Sequence, residues 1–172
     1  YCSSLKSLDL SGLDTGNVTN MDCTFEHCEA LESIEWGQNI NTENVTSMAS
    51  TFSDCSKLKD LDMTRFNTAN VTNMSYMFNY CESLNSVDLR SFNTAKVTDM
   101  SDMFWACSSL NVADISSFEI SQGPEMDDMF YACGALTTVY ISDSESWNDI
   151  ELSTLIDSDL SADDIFQVKK AE

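Results

Sequence analysis

The feature that most constrains this chain is a period of about 26 residues. Cysteines stand at 2, 28, 55, 81, 107 and 133, in steps of 26, 27, 26, 26 and 26. The same interval links Met21, Met48, Met74, Met100 and Met126, and Phe25, Phe52, Phe78, Phe104 and Phe130. It also links Leu5, Leu31, Leu58, Leu84, Leu110 and Leu136. One added residue within Gly37-Gln38-Asn39 accounts for the single longer step. Such a register means repeated supersecondary units, none of which can bury its apolar side alone.

Within a unit, Met74, Met77, Phe78 and Cys81 fall at i, i+3, i+4 and i+7, which predicts one face of a short helix. Val87 and Leu89 alternate with polar residues in Ser86-Val87-Asp88-Leu89, which predicts a half-buried strand. Phe92 and Val97 bracket a polar turn. Six such strands pairing in parallel would make a stack roughly 29 Å long. The expected fold is therefore an α/β solenoid, with parallel strands on one face and short helices on the other. The expected division is a solenoid over 1–141, its first repeat cut by the N-terminus, and an acidic cap or linker over 142–172. Ser161 followed by Asp164 reads as a helix start in that tail.

The stretches Leu61-Asp62-Met63-Thr64-Arg65-Phe66-Asn67-Thr68-Ala69-Asn70-Val71-Thr72-Asn73-Met74 and Val87-Asp88-Leu89-Arg90-Ser91-Phe92-Asn93-Thr94-Ala95-Lys96-Val97-Thr98-Asp99-Met100 resemble BspA-like leucine-rich-repeat surface proteins, a group that includes mycoplasma-type surface-lipoprotein repeats. Met100-Ser101-Asp102-Met103-Phe104-Trp105-Ala106-Cys107 fits the same pattern. The resemblance spans about residues 1–141. It implies a right-handed leucine-rich-repeat superhelix displayed on a cell surface or outside the cell, often in adhesion, and implies no catalytic residues.

Charge narrows the partners. Asp and Glu total 29 against eight Lys and Arg, a formal net charge of −21, which repels nucleic acid and anionic membranes and favours a basic partner. No run of 18 apolar residues is present, so membrane insertion of this segment is not expected. No leader is expected to be visible in a chain that opens inside a repeat.

Several motifs have a structural and a functional reading. The periodic cysteines suit a buried ladder of free thiols better than disulfides or zinc, because stacked equivalents point the same way and a 26-residue period offers no close ligand pair. Cys23 lies off that period, level with Ser50, Tyr76, Asp102 and Asp128, and is expected to face outward. His27, the lone histidine, stands near it, but a Cys–His nucleophile pair is outweighed by a shoulder position with no chemical role. Asn17, Asn44 and Asn70 open Asn-Val-Thr sequons, for which hydrogen bonding to turn backbone is the structural reading. No catalytic constellation is found, so the chain is not expected to be an enzyme.

Two surfaces are candidate partner sites. Asp9, Glu35, Asp62, Asp88 and Asp114 share one strand position and should form an acidic column. Repulsion along it needs an offset: local hydrogen bonds to turn N–H groups and hydroxyls, a basic protein, or bound Ca²⁺. Tyr76, Tyr80, Trp105 and Tyr131 should point away from the core, as hot-spot aromatics or as packing against one another. The leading expectation is a cell-surface binding or adhesion module. A structural spacer or self-associating segment is the alternative. The outer positions change from Glu26-His27 to Asn79-Tyr80 to Trp105-Ala106, and that unevenness favours binding.

Overall fold

The computed structural model describes residues 2–156 and 162–169. Its elements run β1 (Ser7–Asp9), β2 (Ser33–Glu35), β3 (Val112–Asp114) and β4 (Thr138–Ser142). Two 3₁₀ helices follow (Glu145–Asp149 and Leu152–Leu155), then α1 (Ala162–Ile165) and β5 (Phe166–Lys169). Among the described residues all pairing is parallel, in a two-stranded sheet β1-β2 and a three-stranded sheet β3-β4-β5.

This corrects the expected α/β solenoid with its superhelix of strands and helices. Among the described residues the only α-helix is the four-residue α1, in the tail. The segments read as helices, such as Met74–Cys81, are runs of turns. The cause is in the backbone. Tyr76 has φ 57° and Tyr80 φ 54°, and each equivalent segment repeats two such left-handed residues, from Cys23 and His27 to Asp128 and Ala132. An α-helix of L-residues cannot contain them. Strands are likewise absent from Leu61–Met63 and Val87–Leu89, so no six-stranded sheet runs through the chain.

The hydrogen bonds explain what replaces the helix. Along Met74–Cys81 the N–H groups alternate in direction. Those of Met74, Tyr76, Phe78 and Tyr80 donate to the carbonyls of Asp99, Ser101, Met103 and Trp105, at 2.8 to 3.0 Å. Those of Met77, Asn79 and Cys81 close turns onto Met74, Tyr76 and Phe78, at 3.0 to 3.3 Å. Every second residue thus bonds to the next repeat, and the others hold the turn. The through-running ladder lies here, at the parallel bridges Asn20↔Ser47, Ser47↔Asn73, Asn73↔Asp99 and Asp99↔Glu125.

The apolar positions nonetheless converge on one core. Met74, Met77, Phe78 and Cys81 are fully buried, and Tyr76 and Tyr80 between them are exposed. The phenyl rings stack in a column: Phe25–Phe52 at 5.3 Å, Phe52–Phe78 at 5.6 Å, Phe78–Phe104 at 5.2 Å and Phe104–Phe130 at 5.3 Å. Cys28, Cys55, Cys81, Cys107 and Cys133 are buried free thiols, but Cys2 is exposed and does not join them. The thiols of Cys55, Cys81, Cys107 and Cys133 donate to the carbonyls of Phe25, Phe52, Phe78 and Phe104, at 3.1 to 3.2 Å. Burial pushes the Cys55 and Cys133 thiols up to about 12, so they remain protonated.

A second internal ladder is built from threonine. The hydroxyl of Thr42 donates to the carbonyl of Asn67 at 3.0 Å and accepts the Asn67 N–H at 2.8 Å. Thr15, Thr68 and Thr94 repeat the pattern with Asn41, Asn93 and Glu119. All four threonines are buried, and each is satisfied twice by one neighbouring peptide.

After Ile141, Trp147, Thr154 and Leu155 of the tail pack on the preceding repeats. Trp147 is buried, and its indole N–H donates to the Phe118 carbonyl at 3.3 Å. The N–H groups of Asp128 and Phe130 donate to the carbonyls of Thr154 and Leu155. The helix start read at Ser161 and Asp164 rests on Ser161 and the Asp164 side chain, both outside the described residues.

Candidate functional site

The acidic column exists only in part. Asp9 and Glu35 face each other in the β1–β2 register, but Asp114 pairs with Tyr140. Asp62 and Asp88 lie outside any strand. Most of these carboxylates are engaged locally. Asp9 accepts the Ser11 N–H at 2.8 Å. Asp62 accepts the Thr64 N–H at 3.0 Å and its hydroxyl at 2.6 Å. Asp114 accepts the Ser116 N–H at 3.1 Å and its hydroxyl at 2.5 Å. Asp88 accepts the Arg90 N–H and two guanidinium N–H groups, the nearest at 2.6 Å. These bonds favour the charged form. The Arg90 guanidinium holds Asp88 down at about 2, and hydrogen bonds from Ser11 and Thr64 lower Asp9 and Asp62. Arg65 beside Asp62 adds a second cation of the chain's own.

Calcium gains no coordination site from this arrangement. Among the described residues there is no group of three or more His, Cys, Asp or Glu able to hold a metal ion. Other singled-out residues are also accounted for locally. Asn44 and Asn70 donate their side-chain N–H to the carbonyls of Gly16 and Glu43, both at 2.8 Å. His27 lies 3.6 Å from the Asp54 carboxylate. Cys23 is exposed as expected, but desolvation, then Glu26 and Asp22, push its thiol up, the reverse of what a thiolate nucleophile needs.

The aromatic positions form the more coherent surface. The left-handed turns aim alternate side chains outward, which leaves Tyr76 and Tyr80 each 40% exposed and Tyr131 39% exposed. Tyr80 and Trp105 lie with centroids 5.8 Å apart, and Trp105 and Tyr131 6.1 Å apart, edge to face. The rings therefore support one another and still present area to solvent. Tyr76 stands outside this row. Its hydroxyl is engaged by Asp102, with Asp99 and Asp128 nearby, and all three acids disfavour loss of its proton. Asp102 is raised by burial against the pull of that hydrogen bond.

The row ends at a shallow cleft of about 440 Å³ lined by Asp127, Asp128, Tyr131, Ser153, Thr154 and Ile156. No binding motif in the sequence marks Asp99, Asp102, Asp127 and Asp128. Their signal was the repeat register, since Asp102 and Asp128 are level with the outward Cys23 and Tyr76.

Among the described residues no helix is long and apolar enough to cross a membrane. A family model described as "Mycoplasma protein of unknown function, DUF285" matches residues 1–87 and 34–147. No curated protein and no solved structure matches the chain.

Proposed function

The chain belongs to this Mycoplasma family, DUF285, and from that premise we propose that it is a cell-surface or extracellular binding module with no catalytic role. One observation carries the reading: the row Tyr80–Trp105–Tyr131 keeps aromatic area exposed while each ring is held by its neighbour. Rigid aromatic groups lose little entropy on contact and dominate binding energetics. The resemblance of the repeats to BspA-like surface proteins supports an adhesive role. The acidic column is the weaker candidate, because the carboxylates of Asp9, Asp62, Asp88 and Asp114 already have partners within two residues.

The alternative, a spacer or self-associating segment, draws on the regularity of the phenyl and threonine ladders. Binding of the purified protein to immobilised extracellular-matrix proteins separates the two. Saturable binding that is lost in Tyr80→Ser/Tyr131→Ser supports the module. No saturable binding, or concentration-dependent self-association alone, supports the spacer.

A further inference from the structure

The ring row is not a neutral hydrophobic patch. At its end Tyr131 shares one cleft with Asp127 and Asp128, and none of the six lining residues is basic. Asp99 and Asp102 extend the negative charge along the neighbouring turns towards Tyr76. Asp99 is engaged by the neutral Ser101 and Asp102 by the neutral Tyr76, whereas Asp88 is answered by the cation Arg90 and Asp62 lies near the cation Arg65. The chain thus neutralises part of its acidic column from within, whereas the residues that line the aromatic cleft include no cation.

We infer that the Tyr80–Trp105–Tyr131 row and its Asp127–Asp128 cleft dock an arginine-bearing segment of a partner protein. A guanidinium is planar and weakly hydrated, so it stacks on an aromatic face while donating in parallel to a carboxylate. This cleft places both kinds of surface together. An ammonium matches the charge but not the plane. A choline headgroup carries a phosphate that two aspartates would repel, and nucleic acid meets the same obstacle. A metal ion would use the carboxylates and leave the rings without a role.

The inference rests on the ring row being the working surface, and the test keeps the two apart. A labelled arginine–glycine peptide is titrated into the intact protein at physiological ionic strength, beside lysine and citrulline counterparts. The arginine peptide is expected to bind tightest, and the uncharged citrulline peptide at least about tenfold more weakly, since charge-assisted hydrogen bonds and the cation–ring attraction are both lost. Tyr131→Ser and Asp127→Asn/Asp128→Asn are each expected to weaken it by about fivefold or more, and Tyr131→Phe, which keeps the ring, by less than about twofold. Glu43→Gln/Asp60→Asn removes the same charge elsewhere, at exposed residues of neither candidate surface, and is expected to matter by less than about twofold. Equal weakening by that distant pair would reduce the effect to net charge and overturn the inference. So would equal binding of citrulline, or tighter binding of phosphatidylcholine vesicles. If the wild type binds matrix proteins through its rings yet ignores the arginine peptide, the partner chemistry is wrong and the binding surface stands. If Tyr80→Ser/Tyr131→Ser loses neither kind of binding, both readings fall.

Discussion

The thiol of Cys81 donates a hydrogen bond to the carbonyl oxygen of Phe52 across 3.2 Å, with both residues fully buried. One small side chain thereby fills core volume and satisfies a backbone acceptor of the preceding repeat. This dual duty explains why the position recurs as cysteine without any disulfide, and it makes the thiols unreactive while the protein is folded.

Thiol labelling in native buffer is therefore expected to modify two residues, Cys2 and Cys23, and denaturant should release the other five of the seven. Rapid native labelling of Cys55 or Cys107, read by peptide mass, would contradict the buried ladder.

The core column makes a second expectation. Phe78 stacks between Phe52 and Phe104 with near-parallel planes, 5° and 12°. Phe78→Ala should cost about 3–5 kcal/mol in urea unfolding, as large-to-small core truncations do. An unchanged midpoint would mean the ring is not in the core.

The turn backbone is testable by sign. Ala106 has φ 58°, which costs an L-residue roughly 1–2 kcal/mol. Ala106→Gly relieves that strain and loses about 0.5–1 kcal/mol to chain entropy. The net expectation lies between no change and a stabilisation of about 1.5 kcal/mol. Within a helix the same change would destabilise by about 1 kcal/mol. A lower urea midpoint at constant slope would restore the helical reading.

That contrast shows what was legible in the sequence. The i, i+3, i+4, i+7 spacing of Met74, Met77, Phe78 and Cys81 picked the buried residues correctly, because burial is what periodicity records. It did not pick the conformation. Two consecutive turns with left-handed residues at Tyr76 and Tyr80 bury the same four positions as a helix would, and neither residue type announces a positive φ. The Asn-Thr dipeptides read as polar turns, although their threonine hydroxyls bridge neighbouring repeats. The outward direction of Tyr76 and Tyr80 was legible. The cleft beside Tyr131 was not, because it needs Ser153 and Thr154 from the aperiodic tail.

Acid should act on the Asp88–Arg90 pair. Asp88 sits at about 2 in the folded protein against an ordinary 3.8. Its ionised form therefore favours folding at any pH above 3.8, and the contribution is lost as pH falls towards about 2. The Asp88 side chain is 38% exposed, so solvent screening keeps the effect within about 1 kcal/mol. In Arg90→Ala, the Asp88 carboxyl followed by NMR should titrate closer to 3.8. An unshifted titration would remove the guanidinium as the cause.

The most direct test of the binding face sets the two candidate surfaces against each other in one matrix-binding titration. Tyr80→Ser/Tyr131→Ser is expected to weaken binding by about tenfold or more, as loss of paired aromatic hot spots does. Asp62→Asn/Asp88→Asn, which alters carboxylates already engaged by Thr64 and Arg90, is expected to leave it within about twofold. Loss of binding in the aspartate pair, with the tyrosine pair unaffected, would contradict the aromatic row as the functional surface and return that role to the acidic column.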